Sequence, residues 1–157
     1  MDMFNLAQLT KHLVVKAVKD SDKDPYAAVK AGVRDTLKTY LKGMNPANPE
    51  VRQGVMEVAR GAMTGLLLAD LALPPGAIAV LQAVSELAPE LPHDPTLLMV
   101  ATVEGIAEIR LLTSMDALAL IQSAIDHEYM GTGEVFRKAL EDKGTRDVPV
   151  ARLSAAS

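Results

Sequence analysis

Apolar residues recur with the spacing of an α-helix along most of this 157-residue chain. Proline follows aspartate or asparagine at three breaks in that pattern: Asp24-Pro25, Asn48-Pro49 and Asp94-Pro95. An Asp or Asn side chain caps the first N–H groups of a helix, and proline fits the first helical position. Each pair therefore predicts a helix start. No alternating strand pattern and no Asn-Gly hairpin turn competes with the helical interpretation.

The apolar spacing and its breaks predict six helical segments: about 3–19, 25–42, 49–71, 75–88, 96–129 and 134–143. The segment 96–129 would be about 50 Å long if it were continuous. Thr113-Ser114 followed by Asp116 could instead cap a new helix, so one element and two elements both remain open. The predicted fold is all-α, a single bundle of five to seven helices over residues 1–143, with a flexible C-terminal tail over 144–157.

An apolar hairpin is predicted at the centre of the bundle. Residues 71–85 form the longest run without a charged side chain, and Pro74-Pro75 lies inside it. A transmembrane helix needs about 18 unbroken apolar residues, so no membrane span is expected. Asp70 directly precedes the run, and we expect its side chain to cap backbone N–H groups after Pro75.

The first predicted helix has a single apolar stripe. Its members recur at helical spacing and should form the buried face: Phe4, Leu6, Leu9, Leu13 and Val14. Lysines line the other side of the helix: Lys11, Lys16 and Lys19. Asp2, Lys11 and His12 interrupt any signal-peptide core, and the chain has no cysteine, so a reducing cytoplasm is the expected location. The absence of cysteine also excludes disulfides and thiolate metal sites.

Charge is distributed unevenly along the chain. Residues 1–60 hold ten basic and seven acidic side chains, whereas residues 61–128 hold one base and nine acids. Opposite blocks of this kind predict complementarity within the chain or between subunits. Nucleic acid is not an expected partner. Lysine and arginine form no dense cluster that could bind phosphates, and aromatic residues, which stack on nucleobases, make up only 3% of the chain.

Glycine recurs in the middle of predicted helices, where it costs about 1 kcal/mol relative to alanine. Gly54, Gly61 and Gly65 share one face of the third helix, and Gly61 and Gly65 have the spacing used for tight helix crossing. Gly32 and Gly105 lie in similar mid-helix patterns. We expect another helix to approach the backbone at these positions. Gly54, Gly61 and Gly65 are the predicted interface of a homo-oligomer, most simply a two-fold dimer.

Three carboxylates are candidate metal ligands. Glu104 and Glu108 lie one turn apart on one helix face, and Glu57 follows Gly54 at the spacing by which Glu108 follows Gly105. Helical bundles that bind two metals also use Glu-x-x-His on two helices, a pattern that these helices lack. The alternative is ion pairing, of Glu57 with Arg60 and of Glu108 with a lysine or arginine elsewhere. No cofactor is expected.

Eight methionines and few aromatic residues predict an adaptable core. A cavity between the central helices would be lined by Met63, Leu67, Met99, Val103 and Met115. No nucleotide-binding, nucleophile-elbow or His-Glu-x-x-His motif is present. We therefore expect a non-enzymatic structural or interaction protein that self-associates, with a further protein partner or a lipid surface possible. A binding module for a lipid or other apolar ligand is the alternative, and a carboxylate-based metal enzyme is a third hypothesis.

Overall fold

The computed structural model describes residues 3–21 and 23–141, with side chains from residue 6 onward. Seven α-helices and no strand lie in that part of the chain, which confirms the all-α prediction. Their bounds are α1 Met3–Asp20, α2 Pro25–Leu41, α3 Glu50–Leu68, α4 Leu73–Leu87, α5 Pro95–Ala107, α6 Met115–Glu128 and α7 132–141. The predicted tail over 144–157 lies outside the described residues.

The helix starts predicted from the proline pairs are confirmed. Each capping side chain accepts a backbone N–H of the first turn at 2.9–3.1 Å: Asp24 from Ala27, Asn48 from Glu50, and Asp94 from Thr96. These hydrogen bonds satisfy donors that have no partner within the helix. As a result α2, α3 and α5 begin within one residue of the predicted positions.

The long segment 96–129 consists of two helices. The chain leaves α5 through a 3-10 turn, Glu108–Leu111, and α6 starts four residues after that turn. Ser114 caps α6, since its Oγ accepts the N–H of Ala117 at 3.1 Å. The capping alternative in the Thr113-Ser114 segment is therefore the one that the structure adopts.

The connection between α3 and α4 differs from the prediction. Asp70 does not cap α4, which begins at Leu73 after Ala72 and has no side-chain capping hydrogen bond. Asp70 instead adopts a left-handed backbone conformation with φ of 59°. Aspartate tolerates this region better than most residues, and here it reverses the chain over a short turn between the two helices. Pro74 and Pro75 both lie in the first turn of α4.

The helices alternate between two layers. The most extensive contacts of α3 are with α1 and α5, and those of α4 are with α2 and α6. Helices α2 and α4, which are neighbours in one layer, run parallel, as contacts near both of their ends show. Tyr26, near the start of α2, donates to the Ala72 carbonyl oxygen at 3.0 Å, and Lys38, further along α2, pairs with Glu90 just beyond α4. Successive helices from α1 to α6 therefore lie in different layers.

The core lies between these layers, and the α3–α4 hairpin is at its centre. Twelve of the 19 residues of α3 and nine of the 15 residues of α4 are buried. The other helices contribute fully buried side chains: Leu37, Ile106, Ile125 and, from α7, Phe136. Among the residues described, no helix combines the length and apolar character needed to cross a bilayer.

Candidate functional site

The three glycines predicted as an intermolecular interface face residues of their own chain. A Cβ built on Gly61 would lie 2.3 Å from the carbonyl oxygen of Ala7, and one on Gly65 would lie 2.9 Å from the backbone of α1. A Cβ on Gly54 would lie 2.1 Å from Cε2 of Tyr40. The predicted tight crossing is present, but it joins α1 to α3. The close helix approach at Gly61 and Gly65 is therefore made within one chain.

The two similar glycine patterns have different structural roles. A Cβ on Gly105 would lie 2.4 Å from the carbonyl oxygen of Met56, so α5 approaches the backbone of α3 closely. A Cβ on Gly32 would meet nothing within 4 Å. The prediction of close backbone approach is therefore confirmed at Gly105 and wrong at Gly32.

The candidate metal ligands Glu57, Glu104 and Glu108 are each paired with an arginine along the contact between α3 and α5. Arg52 donates to both carboxylate oxygens of Glu104, at 2.5 and 3.2 Å. Arg60 Nη2 donates to Glu57 at 2.6 Å, and its Nε lies 3.5 Å from Glu108. No group of three His, Cys, Asp or Glu side chains in the described ranges could hold a metal ion. The ion-pair alternative is confirmed, and a metal-ligand set is not assembled.

We expect Arg60→Met to lower the free energy of unfolding by about 2 kcal/mol. The Glu57 side chain is only 12% exposed, and without Arg60 it keeps only the side-chain amide of Gln53 at 3.1 Å. The loss is smaller than the roughly 3–5 kcal/mol of a fully buried pair because Arg60 is itself 43% exposed. Urea denaturation followed by circular dichroism measures it.

Arg137→Met is the matched control for this prediction. The Arg137 side chain is 41% exposed, a fraction similar to the 43% of Arg60. Its two glutamate partners are more exposed than Glu57, at 53% and 62%. Exposed ion pairs add little to stability, so we expect no measurable change in the unfolding midpoint. Equal losses in the two variants would show that burial of the carboxylate does not determine the effect.

The uneven charge distribution is balanced by ion pairs between the two blocks. On the α2–α4 contact, Lys30 and Arg34 lie 2.8 and 3.8 Å from Glu86, and Lys38 lies 3.2 Å from Glu90. Arg52 and Arg60 make the corresponding pairs from α3. Each of these pairs joins a base from residues 1–60 to an acid from residues 61–128. The complementarity predicted from the sequence thus acts within the chain.

In the part of the chain that the structure describes, no single cavity brings together the five predicted ligand-binding residues: Met63, Leu67, Met99, Val103 and Met115. Met63 is fully buried in the core, whereas Met115 is 85% exposed. Met99 and Val103 do meet, in a groove of about 340 Å³ between α5 and the start of α7. The other lining residues are Pro95, Thr96, Val100, Thr132 and Val135.

A groove of about 650 Å³ lies between α1 and α2, and the stripe pattern of α1 does not predict it. Its apolar lining is Leu6, Leu9, Leu13 and Met44, and its polar lining is Asp35, Thr36, Thr39, Tyr40 and Glu50. The predicted buried stripe is divided in the structure. Leu6 and Val14 are in the core, but Leu9 and Leu13 are 37% and 41% exposed and form the wall of the groove.

Tyr40 is a polar component of this α1–α2 groove. Its hydroxyl donates to the backbone carbonyl oxygen of Glu50 at 3.4 Å. Partial burial, and then the negative charge of Glu50, raise the pKa of the Tyr40 phenol. The phenol therefore stays neutral near pH 7.

Large apolar side chains are also exposed where α5 connects to α6. Leu111, Leu112 and Met115 are 69%, 55% and 85% exposed within five consecutive residues. A single exposed leucine is ordinary, but three large apolar side chains exposed so close together in the chain are a candidate contact surface. We call these three residues the corner surface.

The chain matches no protein-family model, no curated protein and no solved structure. Its function is therefore argued from its own surfaces.

Proposed function

We propose that the protein is a non-enzymatic helical interaction protein that forms a homodimer through the corner surface. The observation that carries the proposal is the exposure of Leu111, Leu112 and Met115 within five consecutive residues, between the end of α5 and the start of α6. The glycine face of α3 is a weaker candidate, because α1 covers Gly61 and Gly65 and Tyr40 of α2 covers Gly54.

Two-fold symmetry would allow the corner surface to serve as an interface by itself. In a two-fold dimer the same patch of each subunit meets itself, so one apolar patch is enough to form the contact. Removing apolar surface from water contributes about 25 cal/mol for each Å² buried. In such a dimer, three large apolar side chains from each subunit would pack together as the centre of the interface. Methionine, here Met115, is one of the residue types that are enriched in interfaces.

Sedimentation velocity and native mass spectrometry of the full chain test the proposal. We expect the wild-type chain to be a dimer and Leu111→Asp/Met115→Asp to be a monomer, because each substitution buries a carboxylate without a partner. The matched control is Leu68→Asp/Met130→Asp, which adds the same charge at side chains that are 64% and 96% exposed. The control should remain a dimer. A monomeric wild-type chain would overturn the proposal. If both double variants were dimers, the dimer interface would lie outside the corner surface.

A second candidate function is the binding of an apolar small ligand in the groove that Met99 and Val103 line. Its volume of about 340 Å³ is at the lower end of ligand sites, which span roughly 300–1,000 Å³. Retained ligand appears in the same native mass spectra as an added mass that denaturation removes. Val100, which is 37% exposed and lines the groove, offers the specific test. Val100→Arg should lose the added mass if the ligand binds there.

A further inference from the structure

We infer that the α1–α2 groove binds an amphiphilic cation, a small molecule with an apolar body and an ammonium head group. This site is separate from the proposed dimer surface, since none of the groove residues belongs to the corner surface. It is also separate from the Met99 groove, which is lined by α5 and α7.

The apolar body is matched by the size and lining of the groove. Its volume of about 650 Å³ lies in the middle of the range of small-molecule sites. Leu9 and Leu13 present partly exposed side chains to it from α1, and Met44 contributes an adaptable thioether from the connection after α2. A bound alkyl group would cover leucine surface that is now in water.

The cationic head group follows from the charges of the lining. Asp35 and Glu50 are exposed and line the groove, and neither forms an ion pair with any residue that the structure describes. In contrast, the acids on the α2–α4 and α3–α5 contacts are paired with bases. Among the residues that the structure describes, no lysine or arginine lines the groove. An ammonium group bound in the groove would therefore be attracted by both carboxylates, with no basic side chain in the described lining to compete for them.

The hydroxyl groups of the groove also favour a cation. Thr36 Oγ1 donates to the Gly32 carbonyl oxygen at 2.8 Å, and the Tyr40 hydroxyl donates to the Glu50 carbonyl oxygen. Both protons are therefore used within the protein, and the free lone pairs of these oxygens are acceptors. The neutral ring of Tyr40 can also attract an ammonium group to its face. At Thr36 and Tyr40 a carboxylate or sulfate head group would find acceptors where it needs donors.

Isothermal titration calorimetry of the full chain with decylammonium tests the inference, at concentrations below micelle formation. Decyl sulfate and decanol share the alkyl chain and serve as matched probes. We expect saturable binding of one decylammonium for each chain. If each of the two exposed ion pairs raises the affinity about threefold, decylammonium should bind about tenfold more tightly than decanol. Decyl sulfate should bind more weakly than decanol.

Two pairs of variants connect this binding to the groove. Asp35→Asn/Glu50→Gln should lower the affinity for decylammonium about tenfold and leave that for decanol unchanged. Asp116→Asn/Glu128→Gln removes the same charge from α6 and should leave both affinities unchanged. Leu13→Asn should weaken both ligands, whereas Leu68→Asn, at an exposed leucine outside the groove, should weaken neither.

Each other result overturns the inference. Equal affinities for decylammonium, decanol and decyl sulfate would show that the carboxylates do not select the head group. Losses of the same size in the groove and control carboxylate variants would show attraction to the net charge of the chain. No saturable decylammonium binding would show that the groove is not a site. Sedimentation of the same variants reports the dimer independently, because the corner surface is intact in all of them.

Discussion

Gly61→Ala is expected to lower the free energy of unfolding by about 3 kcal/mol. The added methyl group would lie 2.3 Å from the carbonyl oxygen of Ala7 and 3.0 Å from the Ala7 carbonyl carbon and Cα. These are backbone atoms of α1, so no side-chain rotation can relieve the contact. The two helices have to separate, and the leucines around the crossing lose part of their packing.

The control is the same substitution in the middle of α2. Gly32 has nothing within 4 Å of a built Cβ, so Gly32→Ala should stabilise the protein by about 0.5–1 kcal/mol through helix propensity. Urea denaturation of both variants measures the difference. If Gly61→Ala were as stable as Gly32→Ala, α1 would not pack directly on the backbone of α3.

Phe136→Ala is expected to cost about 4 kcal/mol. Phe136 is fully buried, and it is the largest side chain that α7 contributes to the core. Truncation removes its apolar contacts and leaves a cavity that a close-packed interior only partly refills. Thermal and urea unfolding measure the loss, and hydrogen exchange of the α7 amides should increase together with that of α3.

Lys138→Ala is the control in the same helix. Lys138 is exposed, and alanine is the best helix former, so we expect a change within about 0.5 kcal/mol. A small effect of Phe136→Ala as well would show that α7 is attached only loosely to the bundle. Loss of stability in Phe136→Ala alone would show that α7 belongs to the same cooperative unit as the helices before it.

Local chemistry explains which parts of the fold were predictable. The Asp24, Asn48 and Asp94 caps act within three residues, so the sequence around each one is enough to predict a helix start. The Glu57–Arg60 ion pair is local for the same reason, since its members are one helical turn apart. Asp70 was predicted wrongly because the preference for a cap competes with a left-handed turn that only the packed hairpin determines.

Contacts between distant segments were not predictable in this way. The glycine pattern around Gly61 predicts that another helix packs closely there. The same pattern is compatible with a helix of a second chain and with α1 of the same chain, which is the helix that packs there. The Arg52–Glu104 pair joins residues that no spacing rule connects. The α1–α2 groove depends on two helices and on Glu50 from the start of α3. An apolar stripe indicates burial, and it does not indicate which of its edge residues stay in contact with water.

The alternation of helices between two layers has a consequence for synthesis of the chain. Helix α1 leaves the ribosome before α2, but its main partner α3 ends only at Leu68. At about 5–20 residues per second, α1 waits roughly 2–10 s for that partner. Helix α2 waits similarly for α4, and α3 for α5. Helices α1 and α2 can pack on each other as soon as both are made, but the α1–α3 and α2–α4 contacts form only when the later helix of each pair has been synthesised.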